Sequence, residues 1–194
     1  MQTIQGTYSD YLGLSETNVE YIRGWIKYMS PTPSIKHQDL IGNLYIKIRS
    51  FFSSLKEKKY KILFAPVEVC LFEGIYEKEK VEAALQPDLI IVCDRSKLDG
   101  NRCYGAPDFV AEVLSPSTIK RDIREKFDLY EKYGVREYWI ISPLENYVTV
   151  HILQADGKFD KGSIYVFEHD TKSVIPVSII PELDISINDL YEEP

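Results

Sequence analysis

Phe109-Val110-Ala111-Glu112-Val113-Leu114 is an apolar run with a glutamate in its middle, and its reading decides how the rest of the chain is arranged. Apolar residues on both sides of the alternation mark a strand covered on each face, as in the centre of a sheet flanked by helices. Upstream, Asp88 stands at the head of a second such run, Leu89-Ile90-Ile91-Val92. A carboxylate taken out of water without partners costs several kcal/mol or gives up its charge. Two acids so placed in one sheet require a cation, a metal or hydrogen-bond donors, and a metal site is the expectation.

Working outward, Val19 to Ile22 and Trp25 to Met29 are short β-type runs around Arg23-Gly24, which predicts a hairpin. Pro31-Thr32-Pro33-Ser34 breaks the chain and offers Ser34 as a helix N-cap. His37, Ile41, Leu44, Ile48, Phe51 or Phe52 and Leu55 then recur at helical spacing, which predicts a long amphipathic helix. His37 lies on its apolar stripe, either as a satisfied core histidine or as a group touching a metal-binding acid. Lys61 to Phe72 and Gln86 to Cys93 read as neighbouring strands of a long hairpin, with the charged Glu73 to Glu82 a mobile segment between them. Asp94 to Gly105 reads as a polar loop. Past the central strand, Ser115-Pro116-Ser117-Thr118 caps a helix running to about Tyr133 and stopped by Gly134. Glu137 to Ser142 is another buried strand, Tyr147 to Leu153 pairs with it, and Ser163 to Glu168 and Leu183 to Leu190 close the chain. This order predicts an α/β sheet flanked by helices.

With 194 residues, 44% hydrophobic and 27% charged, the chain has material for one solid core, and a single domain over residues 1–194 is the expectation. Its apolar stretches are interrupted by charge well short of the roughly 18 to 20 residues of a membrane span, and Met1-Gln2-Thr3-Ile4-Gln5 lacks a basic segment leading into an apolar one. No membrane association and a cytoplasmic location are expected. Cys70, Cys93 and Cys103 lack the paired spacing of zinc sites and are expected to be reduced. A net charge of -7 and an isoelectric point near 5.1 argue against a general coat for nucleic acid. Ser34 to Lys61 nonetheless holds seven basic residues against two acidic ones, a phosphate-facing surface or a solvated helix face.

In the helix after Ser117, stepping about 100° per residue gathers Leu129, Tyr133, Ile119, Tyr130, Ile123 and Phe127 into one apolar arc. Lys120, Arg121, Arg124, Glu125, Asp128, Glu131 and Lys132 fall opposite. Two charged residues break the pattern: Lys126, near the middle of the apolar arc, and Asp122, between Leu129 and Tyr133. They either pair with each other at i, i+4 over the core edge, or bring the lysine amine to the acids at the end of the preceding strand. The helix starts just past Glu112 and must pack back across the same sheet, which favours the second.

Pro87-Asp88 followed by Glu112-Val113-Leu114 resembles the PD-(D/E)XK signature of restriction-endonuclease-like nucleases. The longer block Ala106-Pro107-Asp108-Phe109-Val110-Ala111-Glu112-Val113-Leu114-Ser115-Pro116-Ser117-Thr118, with Asp122, Lys126, Tyr130 and Glu137-Tyr138-Trp139 after it, resembles the Uma-two family of bacterial endonucleases. Glu20, Gly24, Met29-Ser30-Pro31, His37-Gln38, Ala65-Pro66 and Leu183 to Leu190 extend the likeness to most of the chain. The resemblance implies a restriction-endonuclease-like mixed central sheet flanked by helices, with an N-terminal hairpin and extra C-terminal strands. It implies that Asp88 and Glu112 hold a divalent metal with the backbone carbonyl of Val113. Where most such nucleases carry lysine two residues after the glutamate, this chain has Leu114. In the Uma-two type the following helix supplies that lysine, and Lys126 is the matching position, with Lys120 as the fallback. Asp108 shares its strand with Glu112 and reads as an acid at the start of that strand or one that supports the metal-binding acids.

Phosphodiester hydrolysis needs an activated water, charge stabilisation on the phosphate and help for the leaving oxygen. The resulting expectation is a Mg²⁺-dependent endonuclease, with Mn²⁺ able to substitute, acting on DNA as a homodimer. Asp88, Glu112 and Lys126 form its catalytic set, and Lys126 orients the water or stabilises the phosphate. Glu20 joins them from the hairpin, or else faces solvent; Glu68, mid-strand in Val67-Glu68-Val69, carries the same two readings. The alternative is a catalytically inactive module of the same fold that binds nucleic acid or a protein partner.

Overall fold

The computed structural model describes residues 2–14, 18–29, 33–55, 59–115, 121–168 and 173–191, the side chains of Arg121 and Asp122 excepted. In chain order the first elements are β1 (Thr3–Gln5), α1 (Tyr8–Leu12), β2 (Val19–Ile22), β3 (Trp25–Tyr28), α2 (Ile35–Ser54), β4 (Lys61–Phe64) and β5 (Glu68–Phe72). Next come β6 (Val81–Leu85), β7 (Leu89–Val92), β8 (Leu98–Asp99), β9 (Arg102–Tyr104) and β10 (Phe109–Val113). A π-helical stretch, Arg121–Lys126, leads into α3 (Phe127–Tyr133). The last are β11 (Glu137–Ser142), β12 (Tyr147–Ile152), β13 (Ser163–Val166), β14 (Val174–Pro176), β15 (Asp184–Ser186) and α4 (Ile187–Tyr191).

The expected central strand, β10, lies in a six-stranded sheet of order β13-β12-β11-β10-β7-β4, parallel to β11 and antiparallel to β7. The period of two sorts its side chains. Phe109, Ala111 and Val113 pack with Leu40, Leu44, Ile48 and Phe52 of α2, whose four-residue spacing makes one stripe, and with the C-terminal Ile175, Ile185 and Leu190. Val110 and Leu114 pack on the other face with Leu129 and Tyr130 of α3 and with the inner face of a second sheet. Glu112 shares that phase and points the same way. The second sheet has the order β1-β3-β2-β6-β5-β9-β8, and its outer face is covered by Tyr8 and Tyr11 of α1. The mixed sheet, the flanking helices, the N-terminal hairpin and the extra C-terminal strands are all present.

Local chemistry accounts for the expected boundaries. Ser34 caps α2 by accepting from the His37 amide at 3.2 Å. Arg23 and Gly24, with φ of 47° and 83°, supply the two left-handed residues that a tight β2–β3 hairpin requires. The reading of Lys61 to Phe72 and Gln86 to Cys93 as one hairpin is corrected. The first run divides at Ala65-Pro66, where proline has no N–H for a ladder. Its halves go to different sheets, β4 beside β7 and β5 beside β6. The second run is strand only over β7, and β6, partly hidden in the segment read as mobile, is buried at Val81 and from Ala83 to Leu85. The loop read from Asp94 to Gly105 contains β8 and β9, and β9 runs parallel to β5. The Ser117 cap and Lys120 lie outside the described residues. Ile123, placed on the apolar arc by the regular wheel, is exposed, because the π-helical winding of Arg121–Lys126 departs from a 100° step.

Glu82 ties α3 to the second sheet. It accepts from the Tyr133 hydroxyl at 2.6 Å and from Arg23 Nε at 2.7 Å, and pairs with Lys132. Burial alone would raise its pKa, but these donors outweigh burial and bring it down to about 2. A carboxyl whose pKa is lower folded than unfolded adds stability above its ordinary value of 4.5, and that stability disappears as pH falls toward 2. Glu82→Gln should therefore be less stable than wild type at pH 6 and should converge with it near pH 2, as followed by urea unfolding across that range.

Candidate active site

Three charged side chains from three distant elements meet between the two sheets. Glu112 is on the α3-facing side of β10 and 3% exposed, and Lys126 ends the π-helical stretch and is 1% exposed. Glu20, on β2, is fully buried. In β2, Val19 and Tyr21 belong to the α1 side and Ile22 to the inner side, so alternation turns Glu20 inward. The Lys126 amine lies 2.8 Å from Glu112 Oε1 and 3.1 Å from Glu20 Oε1. Glu20 Oε1 also accepts from the Gln86 amide at 3.0 Å, and the Gln86 side chain donates to the Val19 carbonyl at 3.2 Å, fixing β2 beside the segment that leads to β7.

Asp88 sits just before β7. Its Oδ2 accepts from the Val113 amide at 2.8 Å, which fixes it to the end of β10 one residue from Glu112. His37 Nε2 approaches the same oxygen to 3.2 Å from the first turn of α2. Asp88 is thus gripped from the α2 side, and the buried triad lies on the α3 side of the same strand end.

Taking two carboxylates and an ammonium out of water costs several kcal/mol per ion, offset only by close geometry and further hydrogen bonds. Tyr130 supplies one. Its hydroxyl donates to Glu112 Oε1 at 2.8 Å. Burial, then the Glu112 charge, hold this phenol well above its ordinary pKa, so it stays protonated and keeps donating.

The structure brings Glu112, Lys126 and Glu20 together, fixes Asp88 to the end of the same strand through the Val113 amide, and leaves other expected residues elsewhere. Glu68 faces the α1 side, where it accepts from Tyr11 at 2.6 Å and Arg102 at 2.5 Å. Asp108 accepts from the Cys93 amide at 2.7 Å and pairs with Arg136 at the start of β10. The side chain of Asp122 lies outside the described residues. Cys70, Cys93 and Cys103 are free thiols, and burial pushes them up to about 12, 11 and 11, which keeps them unreactive. Lys36 bonds to Asn146 and Lys47 pairs with Asp189, so part of the basic segment is committed to structure; Lys56 and Lys58 lie outside the described residues. The sequence pattern missed the Tyr130 hydroxyl. Its signal was a tyrosine one turn beyond the inward lysine, where the stripe required only an apolar side chain.

Among the described residues no group of three or more His, Cys, Asp or Glu is arranged to hold a metal. Asp88 and Glu112 offer hard oxygen donors, the kind that would suit a divalent cation such as Mg²⁺, which keeps several waters and takes substrate phosphate. Among the described residues no helix is long and apolar enough to cross a membrane. A model of the Uma2 family, described as "Putative restriction endonuclease", matches residues 8–188. A crystal structure described as a "putative nuclease belonging to DUF820", from Anabaena variabilis, is similar in fold, with a TM-score of 0.75 at 24% identity over 95% of this chain and 97% of that one. No curated protein matches the chain.

If Lys126 balances both glutamates, removing it leaves two buried acids facing each other. Lys126→Met should lose about 3–5 kcal/mol of unfolding free energy at neutral pH, and adding Glu112→Gln should recover part of it. Urea denaturation checks both; equal stability of wild type and Lys126→Met would mean that the acids are already neutral.

Proposed function

This chain belongs to the Uma2 family of restriction-endonuclease-like proteins, and from that membership we propose that it is a metal-dependent endonuclease hydrolysing phosphodiester bonds in DNA. The observation that supports the reading is the meeting of Glu20, Glu112 and Lys126 beside Asp88. A fold that needed only stability would do as well with apolar side chains of similar size at these positions. Buried, paired charges at the end of a central strand, where apolar side chains would suffice for packing, support a working site.

In this reading Asp88 and Glu112, with the Val113 carbonyl, hold the divalent ion, Mg²⁺ first and Mn²⁺ in its place. When bound, the ion supplies charge stabilisation for the phosphate and a more acidic water. The chain's own groups do the rest. Lys126 holds a fixed positive charge in a dry setting, where it counters the negative charge gathering on the phosphate and orients the attacking water. Glu20 holds that amine from the hairpin side, and the Gln86 amide holds Glu20. Tyr130 pins one oxygen of Glu112, and the Val113 amide and His37 pin one oxygen of Asp88. Two copies of the chain would cut the two strands.

Cleavage of plasmid and single-stranded DNA with Mg²⁺ or Mn²⁺ tests the proposal. Glu112→Ala and Lys126→Ala should each lose at least about a hundredfold in rate. Mg²⁺ should raise the melting temperature of wild type and leave that of Glu112→Ala unchanged. An inactive wild type across these substrates would point instead to a binding module of the same fold.

A further inference from the structure

Phe64, the last residue of β4, is 54% exposed although its neighbour on the same face, Ile62, is buried. β4 is the outermost strand of its sheet, so no further strand covers this ring. Phe64 is in register with Leu89, and the next amide, Ala65 N–H, donates to the Asp88 carbonyl at 3.1 Å. The ring is therefore rooted beside the acid that faces α2. Tyr45 of α2 braces it edge-on, with ring centroids 5.0 Å apart and planes at 85°. An edge-on brace leaves a face of the phenyl ring available for stacking.

Along α2 a single stripe connects this pair to the site. His37, Ile41, Tyr45 and Arg49 follow at four-residue steps. His37 touches Asp88, and Tyr45 stands two turns on, about 12 Å along the axis. One turn further, Arg49 is exposed, and its guanidinium has no hydrogen-bond or ion-pair partner among the described residues. An exposed ring followed by an exposed cation, leading away from carboxylates, is the combination that receives an unpaired nucleic-acid strand: base on ring, phosphate on cation.

We propose that Phe64, braced by Tyr45 and followed by Arg49, is a stacking platform for a nucleobase of an unpaired strand whose neighbouring phosphate lies at Asp88 and Glu112. This rests on the endonuclease reading and narrows its substrate to DNA that is single-stranded, or locally opened, beside the cut.

The test is fluorescence anisotropy with a short labelled oligothymidine and a blunt duplex, in Ca²⁺ to suppress cleavage. Phe64→Ala and Phe64→Leu should each bind the single strand about 5- to 150-fold more weakly, Phe64→Trp should bind as wild type does, and the duplex should respond less. Because Phe64 is exposed, melting temperatures should stay near wild type. Oligothymidine binding by Phe64→Leu equal to wild type would overturn the platform and leave the endonuclease reading intact. Failure of wild type to bind either nucleic acid would overturn both. A change of oligomeric state in Phe64→Ala by sedimentation, with unaltered oligothymidine affinity, would make the ring an interface between copies and overturn the platform.

Discussion

The ion triad of Glu112, Lys126 and Glu20 is the constraint on which the other parts depend. Each member comes from a different layer: β10 from the six-stranded sheet, the π-helical stretch from the packing between the sheets, β2 from the seven-stranded sheet. None can be buried alone without several kcal/mol of desolvation cost. The layers must therefore approach to hydrogen-bonding distance at one place and in one register. Charges paired at 2.8 and 3.1 Å are left buried and unpaired if either layer slips.

The supporting contacts follow from that requirement. Glu82 fastens α3 to the second sheet through Lys132, Tyr133 and Arg23, which holds the helix that presents Lys126. On the far side of β10, Glu137 of β11 accepts from Trp139 Nε1 at 2.7 Å, the Ser178 hydroxyl at 2.8 Å and the Ile179 amide at 3.1 Å, fixing the C-terminal segment to the sheet. Burial raises the pKa of Glu137, and these donors counter part of the rise. The site is also graded in exposure. Glu20, Glu112 and Lys126 are sealed, whereas the Asp88 side chain is 19% exposed beside His37. Solvent reaches Asp88 from the α2 side, where the exposed Phe64, braced by the half-buried Tyr45, also lies.

Much of this was legible in the chain because the signals were local. A glutamate in an apolar run and a lysine on an apolar stripe are visible wherever the rest of the protein goes, and they identified Glu112 and Lys126. Glu20 was ambiguous because Val19-Glu20-Tyr21-Ile22 has apolar residues in both phases, so pattern alone cannot say which face is inside. The division of strands between two sheets was hidden for a related reason. Strand pairing is a long-range choice, and the apolar run from Lys61 to Phe72 carries only Pro66 as a sign that it changes partners. Tyr130 was read for its ring and not for its hydroxyl, because what the hydroxyl reaches depends on where β10 lies.

The triad also has a consequence in time. Glu20 and Glu112 leave the ribosome before Lys126, so a growing chain carries the two acids with no amine between them. In that state burying either as a carboxylate costs several kcal/mol that no amine offsets. Burial of these two acids as carboxylates therefore waits for the helix that brings the lysine, and the core between the sheets closes around them only after it.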